Sequence, residues 1–91
     1  MRREALLSKA QAARNAGELA LAREHCGELL ALDPRDAAAL VLLAGIAADA
    51  GDAAGGRHAA ERALAVDPRA GPAHYVMGRL HELEGALPAA E

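Results

Sequence analysis

Apolar residues recur at helical spacing along most of the chain, and short polar or glycine-containing stretches divide them into segments. In the first segment, Leu6, Ala10 and Ala13 fall on one side of a helix. Asp-Pro steps end two later segments, because proline disfavours the helical conformation in the residue before it. The pattern predicts α-helices over residues of about 3–16, 18–32, 36–50, 53–66 and 72–84, with the first turn of a sixth helix after Gly85.

The third predicted helix is apolar around most of its circumference. Leu40, Leu43, Ala44 and Ala47 share one face, and Val41 and Leu42 add apolar surface beside it. A helix of this kind is expected to be buried between neighbouring elements. In the fourth helix, by contrast, Gly55 and Gly56 lie in the first turn, which we expect to fray or bend because glycine is a poor helix former.

A six-residue segment occurs twice along the chain. Leu-Ala-Leu-Asp-Pro-Arg at 30–35 returns as Leu-Ala-Val-Asp-Pro-Arg at 64–69, 34 residues later. Gly17, Gly51 and Gly85 follow the same period, and a turn glycine readily adopts positive φ. A fixed period of this size is typical of stacked helical repeats.

Composition narrows the class of protein. Alanine supplies 26 of the 91 residues and Tyr75 is the only aromatic residue, so we expect an all-α fold with a closely packed core of small side chains. The formal net charge of -3 argues against a nucleic-acid-binding protein, which would normally carry a basic face. Cys26 is the only cysteine, and no stretch reads as a signal peptide or a membrane span. These features favour a cytoplasmic location and no membrane partner.

With this period, the residues resemble the tetratricopeptide repeat (TPR) family, whose unit is a pair of helices. The matching positions are Leu6, Leu40 and His74 at the first large slot, Ala10, Ala44 and Gly78 at the small slot, and Pro34 and Pro68 at the closing turn. The aromatic slots of the family hold alanine, cysteine or histidine here, and Lys9 occupies a leucine slot. The resemblance implies a right-handed α-solenoid of antiparallel helix pairs, as one array with units of about 3–36, 37–70 and an incomplete 71–91.

The resemblance also implies where a partner would bind. In the family, the first helices of successive units line a concave groove that holds a peptide or a helix. Carried over to this chain, Gly45 would leave room for a ligand side chain, and Tyr75 would stack or donate a hydrogen bond. The implied lining is Leu7, Gln11, Arg14, Val41, Leu42, Gly45, Asp49, Tyr75, Arg79 and Glu82.

No catalytic constellation, cofactor motif or metal site is expected from the sequence. His74 and His81 are seven residues apart, whereas helical metal pairs are usually four apart, so we expect half-buried packing histidines. His58 is expected at the surface. No serine–histidine–aspartate arrangement or phosphate-binding loop is visible.

Three hypotheses about function follow. The first is a non-enzymatic scaffold that binds a protein or peptide in the groove. The second is the N-terminal repeat region of a larger bacterial enzyme, such as a sulfotransferase or glycosyltransferase. The third is a self-associating module whose last helix presents an uncovered face formed by Tyr75, Met77, Leu80 and Leu83.

Overall fold

The computed structural model describes the backbone of residues 2–86 and the side chains of residues 2–85. This part of the chain is all-helical and contains no strand, as the sequence predicts. The helices are α1 (Arg2–Asn15), α2 (Leu19–Leu32), α3 (Ala37–Asp49), α4 (Ala53–Val66) and α5 (Gly71–Ala86). Residues 87–91, where the first turn of a sixth helix is predicted, lie outside the described residues.

The same hydrogen-bonded turn ends α1 and α3. The N–H of Glu18 donates to the carbonyl of Ala13 at 2.8 Å, and the N–H of Asp52 donates to the carbonyl of Ala47 at 2.8 Å. Gly17 and Gly51 adopt φ of +80° and +79° in these turns. Both turns are therefore Schellman motifs, which satisfy the last helical carbonyls and require a left-handed residue.

A different turn follows α2 and α4. The carboxylate of Asp33 accepts the backbone N–H of Arg35 at 3.0 Å, and that of Asp67 accepts the N–H of Arg69 at 3.1 Å. Aspartate commonly stabilises a turn in this way, by accepting an N–H two residues ahead. The two turn types alternate along the chain, so the repeat in sequence is a repeat in local structure.

Helix α3 lies at the centre of the molecule. It packs against α2 and α4, which precede and follow it, and also against α1 and α5. Leu40, Ala44 and Ile46 are at most 1% exposed, so the prediction that this helix is buried between neighbours is confirmed. Leu42, which the sequence placed in the groove lining, is also 7% exposed and packs into the core around Ala10 and Cys26.

The two glycines at the start of α4 do not interrupt the helix, which is continuous from Ala53 to Val66. Asp52 caps this end by accepting the N–H of Gly55 at 3.0 Å. A Cβ atom on Gly56 would lie 2.7 Å from Cδ2 of Leu80 and 3.2 Å from the carbonyl oxygen of Ala44. Gly56 therefore allows α4 to approach both α3 and α5 closely.

Helix α5 differs from α3 in its exposure. Ala73, Val76 and Leu80 are buried. The prediction that Leu80 belongs to an uncovered face is therefore wrong. His74 and His81 are exposed, and the expectation of half-buried packing histidines is wrong. The physical reason is visible at Leu40, which corresponds to His74: Leu40 packs with Ala63 of α4, whereas no described helix follows α5 to cover His74.

The end of α5 is a second difference from expectation. The sequence places the helix end before Gly85, but α5 continues through Gly85 to Ala86. Gly85 is not among the glycines with positive φ, which among the described residues are Gly17 and Gly51. Without the left-handed residue there is no Schellman motif at this position, and the helix carries on.

Candidate functional site

An open groove of about 670 Å³ crosses α1, α3 and α5. Its volume falls in the usual range for ligand-binding clefts. The turn between α4 and α5 forms part of its wall. The lining residues are Gln11, Arg14, Ala37, Ala38, Val41, Leu42, Asp67, Arg69, Ala70, Gly71, Pro72, Tyr75, Val76 and Arg79.

The structure brings together most of the residues that the sequence assigned to a groove. Gln11 and Arg14 come from α1, Val41 and Leu42 from α3, and Tyr75 and Arg79 from α5. They meet because α3 packs against both α1 and α5. Tyr75 is 69% exposed, so its ring presents a large apolar surface to solvent within the groove.

Four assigned residues lie elsewhere. Leu7 is half-buried and packs against the core between α1 and α2, and Glu82 is exposed on α5 outside the groove lining. Gly45 is buried, because the guanidinium of Arg14 lies over it. A Cβ on residue 45 would be 2.7 Å from Nη1 of Arg14, so the space above this glycine holds an arginine and leaves no room for a ligand side chain.

Asp49, the fourth of these residues, joins two groove arginines. Its carboxylate accepts a hydrogen bond from Nε of Arg14 at 2.6 Å and another from Nη2 of Arg79 at 3.1 Å. The hydrogen bond from Arg14, reinforced by that from Arg79, lowers the pKa of Asp49 below its ordinary value. One carboxylate on α3 thus holds side chains from α1 and α5 at the same end of the groove.

The sequence did not point to the turn that completes the groove. Asp67, Arg69 and Ala70 belong to the second Asp-Pro-Arg turn, and Gly71 begins α5. In the sequence this turn indicated only the repeat period. The sequence did contain a signal for this position. The turn leads directly into α5, so it must lie next to the groove residues of that helix. Arg69 adds a third arginine to the groove wall.

Comparison with known proteins identifies no relative. No family model matches the chain, and no curated protein or solved structure matches it either.

The side chains of His25, Cys26 and His74 lie outside the groove lining. In the described part of the chain, no group of three or more histidine, cysteine or acidic side chains could hold a metal ion. His25 contacts Glu28 at 3.0 Å, and Nε2 of His74 lies 2.9 Å from the carbonyl oxygen of Pro68. Burial raises the pKa of the Cys26 thiol to about 11, so this thiol is protonated and inert at neutral pH.

None of the helices within residues 2–86 is long and apolar enough to cross a membrane.

Proposed function

We propose that this chain is a non-enzymatic interaction module that binds a peptide segment of a partner protein in the groove across α1, α3 and α5. The observation that carries the proposal is the groove itself, to which the first helix of each repeat contributes side chains. A preformed surface of this kind binds with a low ordering cost, because its lining is held by helices.

The repeat architecture supports the proposal. We infer a TPR-like solenoid, since Schellman turns at Gly17 and Gly51 and Asp-Pro turns at Asp33 and Asp67 recur with one period. Two ion pairs also connect successive units: Arg23 pairs with Asp52 at 3.4 Å, and Arg57, 34 residues after Arg23, pairs with Glu84. A solenoid of helix pairs naturally presents its first helices on one side, where the groove lies.

Substitution of Tyr75 gives the most direct test of the binding proposal. Tyrosine is enriched among residues that dominate binding energy, because it buries a large rigid ring and keeps a polar end. Peptides selected from an unbiased displayed library would be measured for affinity to the wild type, to Tyr75→Ala and to Leu21→Ala. Leu21 is a matched control, because it is an exposed large apolar residue on α2, outside the groove.

The expected result is that Tyr75→Ala weakens binding by about tenfold or more while Leu21→Ala leaves it unchanged. If the selected peptides bind both variants as well as the wild type, the groove is not their binding site and the proposal fails. Circular dichroism of each variant would confirm that the helical content is retained.

Self-association through the outward side of α5 is a second candidate. The observation in its favour is that His74, Gly78 and His81 are exposed. Leu40 and Ala44 of α3, which correspond to His74 and Gly78, instead pack against α4. Light scattering after gel filtration over a range of protein concentrations tests it. A concentration-dependent dimer that Gly78→Glu abolishes would support this candidate, and a monomer throughout would exclude it.

A further inference from the structure

The groove has a charge of opposite sign to that of the whole chain. Three arginines, Arg14, Arg69 and Arg79, line it or lie at its ends, against two carboxylates, Asp49 and Asp67. The chain as a whole carries a formal net charge of -3. A local positive excess within an acidic protein selects for ligands of negative charge at that place rather than over the general surface.

The positive groups lie at two ends of an apolar floor. Arg69 is in the turn before α5, while Arg14 and Arg79 meet at Asp49 near the other end. Between them lie Tyr75 and Val41. Helix α5 rises about 12 Å from Gly71, its first residue, to Arg79, and this rise sets the approximate backbone spacing between the two ends.

The three arginines are not equally neutralised. Arg14 and Arg79 share the single carboxylate of Asp49, so two positive charges face one negative charge. Among the described residues, the guanidinium of Arg69 forms no ion pair, and only its backbone N–H bonds Asp67. The end formed by Arg14, Asp49 and Arg79 therefore carries an excess positive charge. At the other end Asp67 offsets the charge of Arg69, but the guanidinium donors of Arg69 are not engaged by an ion pair among the described residues and can accept a ligand carboxylate.

From this geometry, and resting on the proposed function, we propose that the groove binds an extended acidic peptide segment in which two side-chain carboxylates flank an apolar residue. In an extended chain, alternate residues face the same way, and residues i and i+4 are about 13 Å apart. Carboxylates at i and i+4 reach the two positive ends, and the apolar side chain at i+2 contacts Tyr75 and Val41. Arg69 and Arg79 are thus residues that determine specificity for charge.

Asp49 has a second role in this proposal. Its carboxylate occupies donors on Arg14 and Arg79 that a ligand carboxylate would otherwise use. It therefore orders the two arginines in the free protein and competes with the ligand for them. Asp49→Asn, which keeps the shape of the side chain but removes its charge, is expected to raise affinity for an acidic ligand.

The test uses short fluorescent peptides with both termini blocked, so that only side chains carry charge. The probe has the pattern Glu-Ser-Leu-Ser-Glu, and its two controls replace both glutamates with glutamine or with lysine. We expect the glutamate probe to bind at least about fivefold more tightly than the glutamine control, and the lysine control not to bind. The affinity of the glutamate probe should also fall as sodium chloride is raised, because salt screens exposed charges.

Variants of the protein test which residues cause the preference for the glutamate probe. Arg69→Gln and Arg79→Gln are each expected to weaken the glutamate probe by at least about fivefold, and Asp49→Asn to strengthen it. Arg62→Gln is the control, because it removes the same charge from α4, outside the groove. Arg69→Gln preserves the turn, since residue 69 contributes only its backbone N–H to Asp67.

The inference fails if the glutamate and glutamine peptides bind equally, if Arg69→Gln and Arg79→Gln match Arg62→Gln, or if Asp49→Asn does not strengthen binding. After any of these results, the proposed function still holds if library-selected neutral or basic peptides bind Tyr75→Ala more weakly than the wild type. If no selected peptide depends on Tyr75, the proposed function itself fails. The two failures are therefore distinguishable.

Discussion

Asp36 shows how one buried side chain joins two helices. Its carboxylate accepts two hydrogen bonds from Arg3 on α1, at 2.7 and 2.9 Å, and caps α3 by accepting the N–H of Ala39 at 3.3 Å. Asp36 is 6% exposed. A carboxylate is stable in such a place only because these donors replace its water. Changing this residue should therefore affect both the start of α3 and the contact between α1 and α3.

The Asp36→Ala variant should lower the free energy of unfolding by about 1–2 kcal/mol, the usual cost of losing a helix cap. Urea denaturation followed by circular dichroism measures this. Glu61→Ala is a suitable control, because Glu61 is an exposed acidic residue of α4 and its loss should change stability by less than about 0.5 kcal/mol. Equal losses in the two variants would contradict the role assigned to Asp36.

Two aspartates make stability depend on pH in a defined direction. Hydrogen bonds from Arg3 lower the pKa of Asp36, and those from Arg14 lower the pKa of Asp49, below the ordinary value of 3.8. A group whose pKa is lowered by folding contributes stability above its unfolded pKa and loses that contribution as the pH falls through its folded pKa.

The free energy of unfolding should therefore fall as the pH drops from about 5 toward 2, and the fall should be shallower in the Asp36→Asn, Asp49→Asn double variant. Urea midpoints measured at a series of pH values test this expectation. An unchanged slope in the double variant would show that other carboxylates account for the acid sensitivity.

At the scale of the helix, local signals predicted the elements well. The first four helices begin and end within one residue of the predicted boundaries, because their ends are set by Asp-Pro steps, aspartate caps and turn glycines. The close packing around Gly56 was not predictable, because it depends on Leu80 and Ala44 on other helices, which no local pattern reveals. Gly85 was misjudged because the period alone placed a helix end there.

Three glycines that share the period should respond differently to alanine. Gly17→Ala and Gly51→Ala should each lower the free energy of unfolding by about 1 kcal/mol, because a left-handed residue with a Cβ is strained. Gly85→Ala should raise it by up to about 1 kcal/mol, because this residue is helical and has nothing within 4 Å of an added Cβ. Urea denaturation distinguishes these cases, and a loss at Gly85 equal to that at Gly51 would contradict the extended α5.

At the scale of the whole molecule, the five helices form an elongated body of 48 × 29 × 18 Å with α3 in the middle. Helix α3 is covered by the other four helices, whereas α5 packs only on α3 and α4 among the described elements. Local opening is expected to be easiest where an element has the fewest packed neighbours.

Hydrogen exchange should therefore be slowest in α3 and faster in α5. Amides around Ala44 and Ile46, both completely buried, are the expected slowest set, and those around His81 and Glu82 the faster set. Exchange followed by NMR under native conditions measures this order. Equal protection in α3 and α5 would mean that another element covers α5.

The candidate groove was predictable only in part. The resemblance to a family of helical repeats implied groove positions such as Gln11, Val41 and Tyr75, and these three residues do line the groove. The seating of Arg14 over Gly45 was not predictable, since it depends on the distance between α1 and α3. The position of Arg69 in the groove was not predictable, because helical periodicity does not indicate the direction of a side chain in a turn.

Binding of a partner across α1, α3 and α5 can be tested directly by one measurement. A library-selected peptide would be titrated into isotope-labelled protein, and the amide chemical shifts followed by NMR. The predicted result is that the largest changes lie around Gln11, Val41 and Tyr75, with little change on the outer surfaces of α2 and α4. Changes concentrated instead around Leu21 on α2 or Arg62 on α4 would contradict it.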